Sequence, residues 1–356
     1  MEERTMKRER RKLICMVLII ALLAISTAGC GNSGKVDNTA GEPTYSWRLG
    51  TQDAKGVPLA DSAYRFAERV SELSNGDIEI TVYPSSQLGD YTQTFEEVQM
   101  GTIDMAWVSG SSSFNPIIDV QGIPYLVQNW NQANELWGNR SGYIYKLWDD
   151  TMRDLDVKLL GINPGGFLGC GGKNFGNMNT IMDPTIKQDA LLRVPAMELA
   201  VKIVSSLGYK TTTIPYSDLY SALQTGVADG WYGGSATLNY EGFRDVISTF
   251  VDYNYLFEIF GMFMNEELFE SLPAEYQELL LQAAIDEQVE AFAYYEAYAE
   301  QSYKSLEEYG ITIVKPTDEE MAIIAAHVRD VVYPDLDKMF GADVMKNILK
   351  QVNSLH

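Results

Sequence analysis

Apolar positions recur along most of the chain with one of two periods, and each switch between them marks an element boundary. Tyr45 to Gly50 alternates apolar and polar residues as a first strand, a loop with Gly56 and Pro58 follows, and the run from Leu59 to Leu73 repeats at helical spacing. DIEITVYP then alternates strictly, with Ile78, Ile80 and Val82 on one face of a half-buried strand. A helix over 90–100 leads into a strand over 103–108, and helical runs rich in tryptophan (Trp130, Trp137, Trp148) lead into the strand VKLLGI. Strands alternating with helices predict an α/β fold with mostly parallel sheets covered on both faces.

From Asn163 the texture changes to NPGGFLGCGGKNFGN, the densest glycine cluster of the chain, which reads as a crossover between two lobes. It fails as a phosphate loop of the form G-x-x-x-x-G-K-[ST], because Phe167 stands where the first glycine belongs and Asn174 follows the lysine. A second series follows: strand LLRVP, a helix over 197–207 and strand TTTIP, after which YLFEIFGMFMN is expected to return to the first lobe. Leu272-Pro273-Ala274-Glu275 opens a helix that extends toward Glu308, long enough to brace both lobes, with carboxylates in its first turns favourable to the dipole. YGITIVKP is one more strand, and the tail from Asp318 is helical.

One pattern occurs twice. FEEVQMGTIDMAWVSG (95–110) and LYSALQTGVADGWYGG (219–234) both carry Gln-x-Gly-x-x-Asp followed by a tryptophan. In each, an amphipathic run stops at a glycine suited to a left-handed helix end, then enters a short apolar strand with small residues at its tip. Two readings stand side by side: reuse of a common α/β unit, or two similar lobes that each offer a strand tip to a shared cleft.

The N-terminus sets the expected location. A basic stretch (Lys7, Arg8, Arg10, Arg11, Lys12) precedes an apolar run from Leu13 to Ile25 and small residues before Cys30. That run is short for a spanning helix. Thr27-Ala28-Gly29-Cys30 resembles a bacterial lipobox, with Thr in place of the usual Leu; an ordinary secretory signal and an uncleaved anchor are the alternatives. Residues 1–29 are thus expected to be a lipoprotein signal peptide, Cys30 the lipid attachment site and 30–44 a Gly/Ser/Asn-rich tether. Of the three cysteines, only Cys170 would then lie in the folded part, so no disulfide framework is expected. Removing six basic and three acidic residues with the signal from totals of 27 and 49 leaves a formal charge of −25. Such a surface repels nucleic acid and anionic lipid, and repels small anions unless a local cation reverses the field.

Enzyme signatures are poor. The two histidines, His327 and His356, lie at the C-terminal end, leaving almost no base for a serine or cysteine triad. No H-E-x-x-H, C-x-x-C or EF-hand run supports a metal site, and no cofactor is expected. A binding site has better material. Arg193 ends an apolar strand before Val194-Pro195, where its planar fork suits a carboxylate, although an internal ion pair fits the same placement. Trp107, Tyr216, Trp231 and Tyr232 are candidates to enclose a solute's apolar part; taken singly, each reads as core or surface.

The run GDIEITVYPSSQLGD…VQMGTIDM, then LLRVP, then PYSDLYSALQTGVADG, then the long helix after LPAEYQ, resembles the extracytoplasmic solute-binding proteins of tripartite ATP-independent periplasmic (TRAP) transporters, over nearly the whole chain from Tyr45. The resemblance implies a two-lobe periplasmic-binding-protein-like fold with crossing strands and a long connecting helix, closing on an organic anion. Lobe I is expected over 45–164 plus about 255–300, and lobe II over 165–254 plus about 301–356. The arginine of the family's R-V-P motif corresponds to Arg193, and a second arginine found in many members falls at Lys173. The aromatic before the Y-x-A-L-Q helix corresponds to Tyr216, a ligand-touching loop position to Gln52, and the first lobe's strand tip to Ser109. Where many members continue Asp-Gly with Gln-Glu-Asn-Pro, this chain has Trp231-Tyr232-Gly233-Gly234, so Gly233 has no side chain to offer and the cleft is expected to trade a polar contact for space and aromatic surface. The implied protein is a monomeric receptor, not an enzyme, that hands a small organic acid to the small and large TRAP membrane subunits. The alternatives are a receptor feeding a membrane sensor and a surface-anchored hydrolase.

Overall fold

The computed structural model describes residues 42–355, so the expected signal peptide, most of the tether and the lipid site at Cys30 lie outside the described residues. The chain runs β1 (Tyr45–Thr51), α1 (Pro58–Leu73), β2 (Ile78–Tyr83), α2 (Tyr91–Gln99), β3 (Met105–Val108), α3 (Trp130–Trp137), α4 (Tyr143–Arg153) and β4 (Val157–Phe167). It continues with β5 (Cys170–Gly172), β6 (Leu191–Val194), α5 (Glu198–Ser206), β7 (Lys210–Thr213), α6 (Leu219–Thr225), β8 (Gly230–Tyr232), β9 (Thr249–Val251) and β10 (Phe257–Asn265). The last elements are α7 (Glu266–Ser271), α8 (Ala274–Tyr309), β11 (Thr312–Val314), α9 (Asp318–Phe340) and α10 (Ala342–Val352).

The strands form two sheets, β2-β1-β3-β10-β4 and β11-β9-β5-β8-β6-β7. β1, β2 and β3 are parallel, as are β6, β7 and β8, and these are the strands whose alternation or apolar runs were legible. Each sheet is nevertheless mixed: β10 runs antiparallel to β3 and β4, and β5 antiparallel to β8 and β9. The expectation of mostly parallel sheets is corrected here for a topological reason. A chain that crosses to the other lobe and returns enters the sheet from the opposite end.

β4 extends eleven residues to Phe167, beyond VKLLGI, because Asn163, Pro164 and Gly166 pair with β10 rather than forming a loop. Both strands are buried along nearly their whole length, as expected for central strands covered on two faces. On one face Leu160, Phe260, Met262 and Met264 pack with Phe66 and Val70 of α1 and Leu280, Ala283 and Ala284 of α8. On the other, Leu159, Ile162 and Phe263 pack with Trp137 and Trp148 of α3 and α4.

The expected long helix is α8, 36 residues ending at Gly310 in the left-handed conformation, φ 96°. It is fastened to the first sheet and to α1 by polar bonds: Gln288 Oε1 accepts from the Ile162 N–H of β4 at 2.9 Å, and fully buried Glu287 takes Arg65 Nη2 at 2.6 Å and Arg69 Nη1 at 3.4 Å from α1. Further along, Tyr303 donates to Asp252 at 2.9 Å beside the second sheet. One rigid rod thus ties both sheets together. In the tail, α9 packs on α5 while Gln351 of α10 accepts from the Ile144 N–H of α4 at 2.9 Å, so the tail, expected with the second lobe, touches helices of both sheets.

Candidate functional site

The two echoed segments meet at one cavity. α2 gives way at Gly101, φ 71°, and α6 at Gly226, φ 76°, so both helices close through a left-handed glycine before entering β3 and β8. The tips beyond those strands, Ser109-Gly110 and Trp231 to Gly234, line the same space. Its volume is about 80 Å³. At roughly 10–15 Å³ per water centre, that is room for several heavy atoms of a small solute.

Seven predicted residues reach this cavity: Gln52, Ser109, Arg193, Tyr216, Trp231, Tyr232 and Gly233. Gln52 Oε1 accepts from the Ser109 N–H at 3.0 Å, which joins the end of β1 to the tip of β3. Arg193 lies on β6 between β7 and β8, opposite Thr212 and Trp231, and is only 4% exposed. Its Nε donates to Ile214 O at 2.8 Å. Among the described residues no carboxylate lies within 4.0 Å of it, so the internal ion pair that its sequence position also suited is not formed. Burial pulls its proton affinity down from the usual arginine value, with Tyr91, Tyr216, Asp90 and Glu258 acting in the opposite sense.

Two predicted residues lie elsewhere. Trp107 alternates with Ala106 and Val108 along β3, so it enters the core on the α1 side, its ring centroid 5.0 Å from that of Phe66. Lys173 is exposed just after β5, and its Nζ reaches Leu223 O at 3.3 Å, a cation on a carbonyl of α6's last turn.

The Trp-Tyr-Gly-Gly segment is built differently from the expected open, aromatic-walled space. Gly233 and Gly234 have φ 113° and 75°, and a Cβ on Gly234 would sit 2.4 Å from the Trp231 ring. The room that the missing side chains leave is therefore taken by the indole, whose Nε1 donates to Asn239 Oδ1 at 3.1 Å and whose ring lies 4.7 Å from Phe243. Tyr232 stacks on Tyr255 at 4.7 Å, and the Tyr255 hydroxyl accepts from the Gly233 N–H and donates to Gly169 O, both at 2.8 Å. The aromatics form a fixed wall, and the cavity stays small.

Sequence reasoning missed the acids. Glu258 of β10 lines the cavity, and burial pushes its carboxyl up to about 8, with Asp53 raising it further and Arg193 opposing. Asp53, next to Gln52, is 4% exposed and is raised to about 7 by burial, with the Tyr216 hydroxyl 3.5 Å away. The available signal was Glu258 as the lone acid within the apolar run Tyr255 to Asn265. Tyr91, Gln121, Leu168 and Met197 complete the wall without a sequence signature of their own. Among the described residues no three His, Cys, Asp or Glu side chains are grouped to hold a metal, and no helix is long and apolar enough to cross a membrane.

Comparison with known proteins agrees with this architecture. The C4-dicarboxylate-binding periplasmic protein DctP of Rhodobacter capsulatus is 21% identical over 82% of this chain and 86% of its own length. A solute-binding protein of Roseobacter denitrificans is 26% identical over 52% of this chain, and the match spans only 55% of that relative. Among solved structures, a TRAP periplasmic solute-binding protein of Desulfovibrio salexigens with bound orotic acid has a TM-score of 0.79 at 23% identity, covering 88% of this chain and all of that one. A sugar-acid-binding protein of Advenella mimigardefordensis in complex with galactonate has a TM-score of 0.81 at 22% identity, covering 88% of this chain and 99% of that one. The family model described as bacterial extracellular solute-binding protein, family 7, matches residues 49–341. The chain therefore belongs to that family, the extracytoplasmic solute-binding proteins of TRAP transporters, and is a binding protein rather than an enzyme.

Proposed function

We propose that this protein is a lipid-anchored receptor that captures a small organic carboxylate between its two lobes and delivers it to the membrane subunits of a TRAP transporter. The observation that carries the reading is Arg193: a buried guanidinium facing a small cavity, held by one backbone carbonyl and by no carboxylate among the described residues. A ligand carboxylate supplies the missing counter-charge, and two parallel N–H···O bonds to the fork are the strongest form of that contact. The relatives bound to orotic acid and galactonate, and the one named for C4-dicarboxylates, support an acidic ligand. Closure buries the pair where weak screening strengthens it.

Gln52, Ser109 and Glu258 come from the first sheet and its loops, Arg193, Tyr216 and Tyr232 from the second, so a ligand in this cavity contacts both lobes at once. In this reading Cys30 carries the lipid and residues 30–44 tether the domain to the membrane. A thermal-shift screen of organic acids tests the receptor: at least one raises the melting temperature by mass action, and the shift is absent in Arg193→Ala. An acid that stabilises both proteins equally rules out Arg193 as the anchor. Mass spectrometry of the intact protein from its native host tests the lipid, since a Cys30→Ser chain loses the acyl mass.

A further inference from the structure

We infer that the ligand is a zwitterion, an acid that also carries an ammonium or other cationic nitrogen, with its carboxylate on Arg193 and its cation on Glu258. This rests on the reading of Arg193 as the carboxylate anchor. Glu258 and Arg193 line the same cavity, yet no ion pair within 4.0 Å joins them, so neither serves as the other's direct partner. Among the described residues the Glu258 carboxyl takes no hydrogen bond and no ion pair within 4.0 Å, and Arg193 acts on it only from farther away. Its stem packs against Gly165, where a Cβ would lie 2.9 Å from its Cγ.

The two unpaired groups decide which acid fits. In the unliganded cavity the raised carboxyl of Glu258 is mostly protonated at neutral pH, so Arg193 is the full charge among the residues that line it. A simple acid satisfies Arg193 and leaves the Glu258 carboxyl without a partner, whereas a zwitterion gives each of the two groups a partner, its cation replacing the proton that Glu258 releases. Burial raises the proton affinity of Glu258, Asp53 adds to it and Arg193 opposes it, so a ligand cation at this carboxyl would displace the proton. The small volume and the fixed wall of Tyr216 and Tyr232 limit the ligand to a compact molecule.

The test pairs L-α-amino acids with des-amino acids of the same skeleton: alanine with propionate, leucine with 4-methylpentanoate, phenylalanine with 3-phenylpropanoate, and proline with cyclopentanecarboxylate. Binding is measured by titration calorimetry on the chain from Tyr45 onward, purified by unfolding and refolding to remove carried-over ligand. The expected result is that one or more amino acids bind at least tenfold more tightly than their partners, and that Glu258→Gln abolishes that preference. The wild-type comparison decides by itself if the variant misfolds. Des-amino acids that bind equally or better, or Glu258→Gln binding more tightly, overturn the zwitterion while leaving the carboxylate anchor standing, provided Arg193→Ala still loses them. Binding of neither series overturns both.

Discussion

Arg193 keeps its fork for the cavity only because Ile214 O takes Nε and fixes the plane. Arg193→Ala is expected to weaken ligand binding by about 2–5 kcal/mol, the usual cost of truncating one member of a buried charged pair. Arg193→Lys restores the charge but not the fork, so calorimetry should place it between the two. The carboxyls of Glu258 and Asp53 bear on stability. Both are raised by burial, to about 8 and about 7, so between their ordinary values near 4 and these raised ones the native state binds more protons than the unfolded chain. Stability of the unliganded protein is therefore full below about pH 4 as far as these two groups are concerned, and declines as the pH rises through 7 and 8, by on the order of a few kcal/mol. Melting temperatures across pH 5 to 9 check this, and Glu258→Gln should flatten the upper part of the decline. At this scale Arg193 was legible because strand, proline and charge coincide in LLRVP, whereas Glu258 was not, since an acid in an apolar run does not declare which way it faces. Trp107 lies in the core because the cavity is lined only from Ser109, beyond the end of β3, while the β3 residues on both faces pack into the core.

Elements carry their own commitments. β8 ends in two glycines because the Trp231 indole lies over them, so Gly234→Ala forces both a left-handed φ on alanine and a 2.4 Å clash. That substitution should cost about 1–3 kcal/mol and shift the tryptophan emission as the ring is displaced. α8 is held to α1 by buried Glu287, which Ser62, Arg65 and Arg69 contact together. Glu287→Ala leaves those groups without their acid, and urea unfolding should report a loss of about 3–5 kcal/mol. The start of this helix was readable from Pro273 and its length from the missing breaker before Gly310. The pairing of β4 with β10 was not, because strand periodicity shows which faces are buried but not which neighbour covers them.

For the whole molecule, charge is the dominant feature. The full chain carries −22, so a simple anion approaches an opposing field. Its association rate should rise with added salt, by stopped-flow tryptophan fluorescence, as screening shortens the reach of that field; a zwitterion's rate should stay nearly flat. The amino-acid sequence by itself determined the repeated helix-to-strand unit, the α/β class and the strand-end place of Arg193, because periodicity, left-handed glycines and a charged strand end are local properties. Only the tertiary structure decided that both strand tips meet at one small cavity, that Trp231 fills the space its glycines leave, and that a lone glutamate opposes the arginine. Those depend on which residues distant in the chain are brought within a few ångströms, and no local pattern encodes that distance.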